Sequence, residues 1–166
     1  MDETPHSLTN CIDFLQKAKV LCIGDVILDK FVYGDVDRIS PEAPIPVLKL
    51  ENKVTMLGGA GNVITNLRAL GAKVDVISAI GCCEASHELK TLLEKIQVDS
   101  QYFVTQADRI TPKKSRIIAA QQQVVRYDRE SSDDISSKSQ RLILEYFTKI
   151  IDDYDGVLLS DYGKGV

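Results

Sequence analysis

The chain has 166 residues, of which 44% are hydrophobic and 27% charged, and its formal net charge is −4. This composition is that of a globular protein, and the acidic balance argues against a nucleic-acid or membrane-surface partner. No apolar run reaches the roughly 20 residues of a membrane-spanning helix, and residues 1–6 lack the basic and apolar regions of a signal peptide. We therefore expect a cytoplasmic domain.

The cysteines give no pattern typical of a metal site. None of them forms a CxxC pair, and only His6 and His87 could add nitrogen ligands. We expect no metal site and four reduced thiols, at Cys11, Cys22, Cys82 and Cys83.

The first predicted elements are a helix over 8–18 and a strand over 20–24. The strand is a continuous apolar run, which is typical of a strand buried on both faces of a parallel sheet. Asp25 and Asp29 follow it, and in open α/β sheets ligands bind beyond the carboxyl ends of strands. These carboxylates suit sugar hydroxyls; alternatively, Asp25 only caps a turn.

Short strands over 31–34 and 45–50 come next, with prolines between them. Because proline cannot donate to a sheet ladder, we expect edge or flap strands here. Gly58, Gly59 and Gly61 then open a helix over 62–70, whose apolar face is predicted to hold Val63, Leu67 and Leu70. Glycines at a helix start let a ligand approach the backbone N–H groups closely, and the nearby Asn62 can both donate to and accept from a polyol.

The remaining elements alternate between strand and helix. Strands are predicted at 74–80 and 157–160, helices at 84–96 and 137–151, and two further β-rich runs at 115–120 and 123–127. The alternation predicts an α/β fold with a mainly parallel sheet flanked by helices. The runs that break it predict a small β lid at approximately 31–57 and 115–128.

Two nucleotide-binding motifs fail on inspection. Ile64 stands where a dinucleotide fingerprint needs its third glycine, and Leu158 stands where a Walker loop ending at Gly163-Lys164 needs its first.

The second β pair carries a group of cations: Lys114, Arg116, Arg126 and Arg129. A substrate that already carries a phosphate needs such groups, although a solvated hairpin face would look the same. Strand alternation puts Lys114 and Arg116 on one face, and Arg126 and Asp128 together on the neighbouring run.

The run Gly58-Gly59-Ala60-Gly61-Asn62, followed at fixed spacing by Gly71 and Gly81, resembles the N-terminal signature of the ribokinase-like (PfkB) carbohydrate kinases. Residues 38–47 and 111–130 are similar to the bacterial heptose-7-phosphate kinases of ADP-heptose synthesis. Two positions depart from the family, since Ile64 replaces a small residue and Lys113 replaces a more usual Thr.

The resemblance implies a sugar kinase that uses ATP and Mg²⁺ to phosphorylate the anomeric hydroxyl of D-glycero-D-manno-heptose 7-phosphate, towards lipopolysaccharide. It implies substrate contacts from Asp29, Gly58, Gly59, Asn62, Lys114, Arg116 and Arg126. It also places Asp161 and Lys164 near the junction of the sugar and nucleotide sites.

The family's general base and most of its ATP site belong to a later signature, Asp-Thr-x-Gly-Ala-Gly-Asp, which residues 1–166 do not contain. We therefore expect the N-terminal part of one kinase domain that is inactive alone, marginally stable and prone to self-association. Its expected partners are a phosphorylated sugar, a C-terminal half or an adenylyltransferase module, and a second copy bound through the lid. The alternatives are an inactive sugar-phosphate-binding remnant, one half of a split kinase, or a kinase for a plain hexose or nucleoside.

Overall fold

The computed structural model describes residues 8–131 and 133–166, with side chains described from residue 12 onward. Its helices are α1 (Leu8–Leu15), α2 (Ala60–Ala69), α3 (Glu84–Lys95) and α4 (Ser137–Ile150), with a 3₁₀ turn at Ile151–Asp153. Its strands are β1 (Lys19–Gly24), β2 (Val26–Ile39), β3 (Pro46–Gly59), β4 (Lys73–Ile80), β5 (Phe103–Thr105), β6 (Lys113–Ala119), β7 (Gln122–Arg129) and β8 (Gly156–Ser160).

Four strands form a parallel core sheet in the order β5-β4-β1-β8. On one face, Cys22 and Val76 pack with Ile64 of α2 and Leu89 of α3. On the other face, Leu21 and Ile77 pack with Ile143 and Ile150 of α4. The central strands β1 and β4 are therefore covered by helices on both faces, as their continuous apolar runs predict.

The other four strands form the lid sheet, in the order β3-β2-β6-β7. β2 pairs with β3 antiparallel and with β6 parallel, and β7 completes a hairpin with β6. The predicted lid is thus present, made from the two segments that broke the strand–helix alternation.

The structure corrects the predicted lid strands in length and position. β2 begins at Val26, a single residue after β1, so residues 26–29 are strand and not a loop. Val26 and Leu28 are buried in the core, which makes the lid sheet an extension of the core. β2 is also an interior strand. Pro41 and Pro44 lie in the connection to β3, and Pro46 is its first residue, so the prolines do not interrupt the ladder.

Several predicted burial patterns are also wrong. In α2 the buried residues are Ala60, Gly61 and Ile64, whereas Leu70 is 41% exposed. The apolar run at 157–160 predicts a buried strand, yet Leu159 is 75% exposed, because β8 is an edge strand among the described residues and this side chain has no cover. The three-residue strand β5 was not predicted, since a run of that length carries no readable alternation.

None of the helices in the described part of the chain has the length and apolar character needed to cross a membrane.

Candidate site at the junction of core and lid

The carboxylate of Asp25 holds the backbone in place at one end of the candidate site. It joins β1 to β2, is 3% exposed, and accepts backbone hydrogen bonds from Tyr162 (2.9 Å), Lys164 (3.0 Å) and Val166 (3.2 Å). A carboxylate buried in this way is satisfied by the protein itself. Asp25 therefore holds the loop after β8 against the end of β1. This role is similar to the alternative prediction, in which Asp25 only caps a turn.

Asp29 lies in β2, facing the next strands of the lid sheet. Its Oδ1 accepts a 2.6 Å hydrogen bond from Nη1 of Arg116, whose guanidinium lies 5.1 Å from the ring centroid of Phe31. Gly58 lies directly beside it, since a Cβ at Gly58 would collide with Oδ2 of Asp29. The structure thus brings three predicted site residues, Asp29, Gly58 and Arg116, into one group.

The glycine cluster shapes the start of α2. Gly59 is the N-cap residue with a φ of 57°, a backbone conformation that favours glycine. Asn62 follows in the first turn and is exposed, making no side-chain hydrogen bond to another described residue. These two predicted residues lie in the segment that follows Gly58 but take no part in the ion pairs of the lid.

A second group lies on β6 and β7. The register pairs Lys114 with Asp128 and Arg116 with Arg126 across the strands, so all four side chains share one face. Alternation predicted only the pairing within each strand. Nζ of Lys114 lies 3.0 Å and Nε of Arg126 3.2 Å from the carboxylate of Asp128. The hydrogen bond from Lys114 holds the pKa of Asp128 below its ordinary 3.8.

Glu130, which sequence reasoning did not single out, connects this group to the core. Its Oε1 lies 2.8 Å from Nζ of Lys164, and its Oε2 lies 3.5 Å from Nζ of Lys114. The signal was available, because Glu130 stands two residues after Asp128 and strand alternation would place both on one face.

Asp161 and Lys164, the two residues expected at the sugar–nucleotide junction, have different surroundings. Lys164 reaches the lid through Glu130. Asp161 is exposed, accepts from the backbone N–H of Gly163 at 2.7 Å, and lines a cavity of about 510 Å³ whose other walls include Ile23 and Leu144. Lys164 therefore joins the charged cluster, and Asp161 does not.

A network of hydroxyl groups connects the start of α3 to the segment just before β6. Ser86 donates to the carbonyl of Gly81 at 2.6 Å and lies 2.7 Å from the hydroxyl of Thr111, just before β6. Cys83 caps α3 beside it. Partial burial works against ionisation of this thiol, but hydrogen bonds with Ser86 and Thr111 outweigh it and lower the pKa of Cys83 to about 7. Sequence reasoning gave Cys83 no role beyond a reduced thiol.

The arrangement alternates cations with carboxylates on one face. Carboxylates accept hydrogen bonds from hydroxyl groups, and Arg and Lys bind phosphate oxygens. The face therefore suits a ligand that carries both kinds of group. Within the described residues, no group of three or more His, Cys, Asp or Glu side chains is arranged to hold a metal ion.

Residues 17–155 match the pfkB family carbohydrate kinase. The chain belongs to the pfkB family of carbohydrate kinases. Curated relatives are consistent with the predicted subfamily. The bifunctional protein HldE of Aliarcobacter butzleri is 50% identical over 151 residues, covering 91% of this chain and 32% of that protein. HldE of Sulfurimonas denitrificans is 49% identical over 148 residues, covering 89% and 31%. This pfkB chain thus spans about a third of the length of these relatives.

Solved structures confirm the predicted ribokinase-like α/β fold of this pfkB chain. A carbohydrate kinase from Agrobacterium tumefaciens superposes with a TM-score of 0.64 at 20% identity, covering 86% of this chain and 45% of that one. The microbiome-derived acarbose kinase Mak1 superposes with a TM-score of 0.60 at 19% identity, with the same coverage. At such identities the likeness concerns the fold alone.

Proposed function

We propose that this chain is the acceptor-binding part of a sugar kinase that transfers the γ-phosphate of ATP to the anomeric hydroxyl of D-glycero-D-manno-heptose 7-phosphate. The observation that carries the proposal is the 50% identity to bifunctional protein HldE over 151 residues. The mixed cluster of cations and carboxylates supports it, because a phosphorylated polyol offers a matching group to each.

The proposal divides the site into two parts. Contacts to the sugar come from Asp29, Gly58, Gly59 and Asn62. Contacts to the phosphate already on the sugar come from Lys114, Arg116 and Arg126. Asp29 accepts from sugar hydroxyls and the glycines leave room for the ring, while Arg116, already oriented by Asp29 at 2.6 Å, presents its remaining donors to the phosphate.

Mg²⁺, when bound together with ATP, would supply positive charge that offsets the negative charge developing during transfer. We assign neither the magnesium ligands nor the general base to the described residues, whose own part is to bind and orient the acceptor. Further polypeptide would supply the nucleotide side, with Asp161 and Lys164 at the junction. The name of the bifunctional relatives is consistent with an adenylyltransferase module as a second partner.

The direct test is calorimetric titration of the chain with heptose 7-phosphate, comparing Asn62→Ala with Asn66→Ala. Both asparagines are exposed and lie one turn apart on α2, so the second variant controls for changes to the helix. We expect Asn62→Ala to weaken sugar binding about tenfold, equivalent to a lost hydrogen bond of about 1.4 kcal/mol, and Asn66→Ala to leave it unchanged. An unchanged dissociation constant for Asn62→Ala contradicts its assignment.

The titration also separates the alternative functions. Binding of heptose 7-phosphate without transfer, even after a complementary nucleotide-binding half is added, identifies an inactive sugar-phosphate-binding module. Tighter binding of a plain hexose or a nucleoside identifies a different acceptor and contradicts the heptose proposal.

We also propose a homodimer formed through the lid sheet. All eight residues of β7 are exposed, and Val124, Val125 and Tyr127 are 49%, 45% and 52% exposed. Such an exposed hairpin with apolar side chains is typical of an interaction surface.

A further inference from the structure

Glu130 occupies an unusual place in the proposed phosphate site. It follows β7 directly, and its carboxylate bridges the ammonium group of Lys114, in the lid sheet, and that of Lys164, in the loop held by Asp25. The side chains of the two lysines are each 17% exposed, and that of Glu130 is 19% exposed. The bridge is therefore largely withdrawn from solvent, where charge interactions are stronger than on an open surface.

This bridge changes what the cluster can bind. On this face, each of the four cations of the cluster already has a carboxylate partner: Arg116 has Asp29, Arg126 has Asp128, and Lys114 and Lys164 share Glu130. An anion without hydroxyl groups that enters the cluster must share these cations with their carboxylate partners. It is also repelled by the negative charge of Glu130. A phosphate ester with neighbouring hydroxyls faces the same charge, but its hydroxyls can donate to the carboxylates.

We propose that Glu130 is a specificity-determining residue that makes the cluster select a phosphorylated polyol over a bare phosphate anion. The inference rests on the proposed function for the identity of the preferred ligand. The geometry that carries it is the contact of one carboxylate with two ammonium groups, at 2.8 and 3.5 Å.

The test compares inorganic phosphate with heptose 7-phosphate on the full chain, by calorimetry at low and high salt. Glu130→Gln keeps the shape of the side chain and removes its charge. We expect it to tighten inorganic phosphate binding roughly five- to tenfold at low salt, with a smaller gain at high salt because salt screens the interaction between the cluster and an anion arriving from solution. Heptose 7-phosphate should bind Glu130→Gln no more tightly than it binds the wild-type chain. The preference for heptose 7-phosphate over inorganic phosphate therefore falls. Glu130→Asp keeps the charge and should retain discrimination.

Glu145→Gln is the matched control, since Glu145 is an exposed carboxylate on α4 that forms no ion pair with another described residue. Glu145→Gln should leave the affinities for inorganic phosphate and for heptose 7-phosphate unchanged. The inference is overturned if Glu130→Gln leaves phosphate binding unchanged or undetectable, or if both ligands change by the same factor. Failure of the wild-type chain to bind heptose 7-phosphate overturns the proposed substrate instead, and the effect of Glu130 is then decided by inorganic phosphate alone.

Discussion

Asp25 and Asp29 lie four positions apart in the sequence, yet their carboxylates serve different purposes. Asp25 is turned inward and accepts from three backbone N–H groups, whereas Asp29, whose side chain is 19% exposed, pairs with Arg116 in the lid sheet. Burial decides the difference, because a buried carboxylate must be satisfied by the protein. Asp25 therefore acts on the site indirectly, by fixing the loop that carries Lys164.

Asp25→Ala should destabilise the chain by roughly 2–4 kcal/mol, because it leaves three backbone donors without their acceptor. Urea unfolding followed by circular dichroism measures the change. Asp37→Ala, which removes an exposed carboxylate of β2, should stay within about 0.5 kcal/mol of wild type. Equal stability of the two variants would show that the loop does not depend on Asp25.

Cys83 should react with iodoacetamide as a thiolate at neutral pH. Because its folded pKa is about 7, below the ordinary 9.0, the thiolate fraction rises as the pH increases through 7. Cys22 is the internal control, since burial raises the pKa of its thiol to about 11 and shields it. Peptide mass mapping across pH gives the rate at each cysteine. Ser86→Ala removes a hydrogen bond to the thiol and should move the midpoint of Cys83 upward; a midpoint near 9 in the wild-type chain contradicts the assignment.

Elements defined by a strong period could be predicted from the sequence, and elements defined by partners distant in sequence could not. The core strands β1 and β4 and the helices α3 and α4 lie within a few residues of their predicted bounds, because a continuous apolar run or a 3.6-residue period depends only on local sequence. The full length of β2 could not be predicted, since residues 26–30 are held in strand by Gly59, Leu57 and Lys113 from elsewhere in the chain.

The candidate site shows the same division. Alternation correctly paired Lys114 with Arg116 on one strand and Arg126 with Asp128 on the next, whereas the register that brings the two pairs to one face could not be predicted. The bridge from Glu130 to Lys164 could not be predicted, because it joins two sheets whose relative placement no local pattern specifies. The roles of Asn62 and the glycines in sugar binding remain predictions.

At the scale of the whole molecule, two exposed apolar surfaces compete as sites of association. One is the edge of the core sheet at β8, where Val157 is 41% and Leu159 75% exposed. The other is β7 of the lid sheet. Exposed sheet edges with apolar side chains promote pairing between chains, so we expect the chain to self-associate and its apparent melting temperature to depend on protein concentration.

Leu159→Lys and Val125→Lys separate the two surfaces in sedimentation velocity experiments over a range of protein concentrations. We expect Val125→Lys to abolish a discrete dimer, as proposed for the lid sheet, and Leu159→Lys to reduce larger aggregates, because a charge at an edge opposes further pairing. A wild-type chain that is monomeric at every concentration and melts at the same temperature throughout would refute both expectations.

The position of β1 in the core sheet affects the order in which the strands can pair during translation. β1 lies between β4 and β8, so Lys19 pairs with Lys73, but Val20 pairs with Gly156. Closing so long a loop is slow relative to local pairing. During translation, β1 acquires its second neighbour, β8, only after the other described strands have been made. A nascent chain would hold β1 with one open flank until residues 156–160 had left the ribosome, and the loop fastened by Asp25 could form only after that.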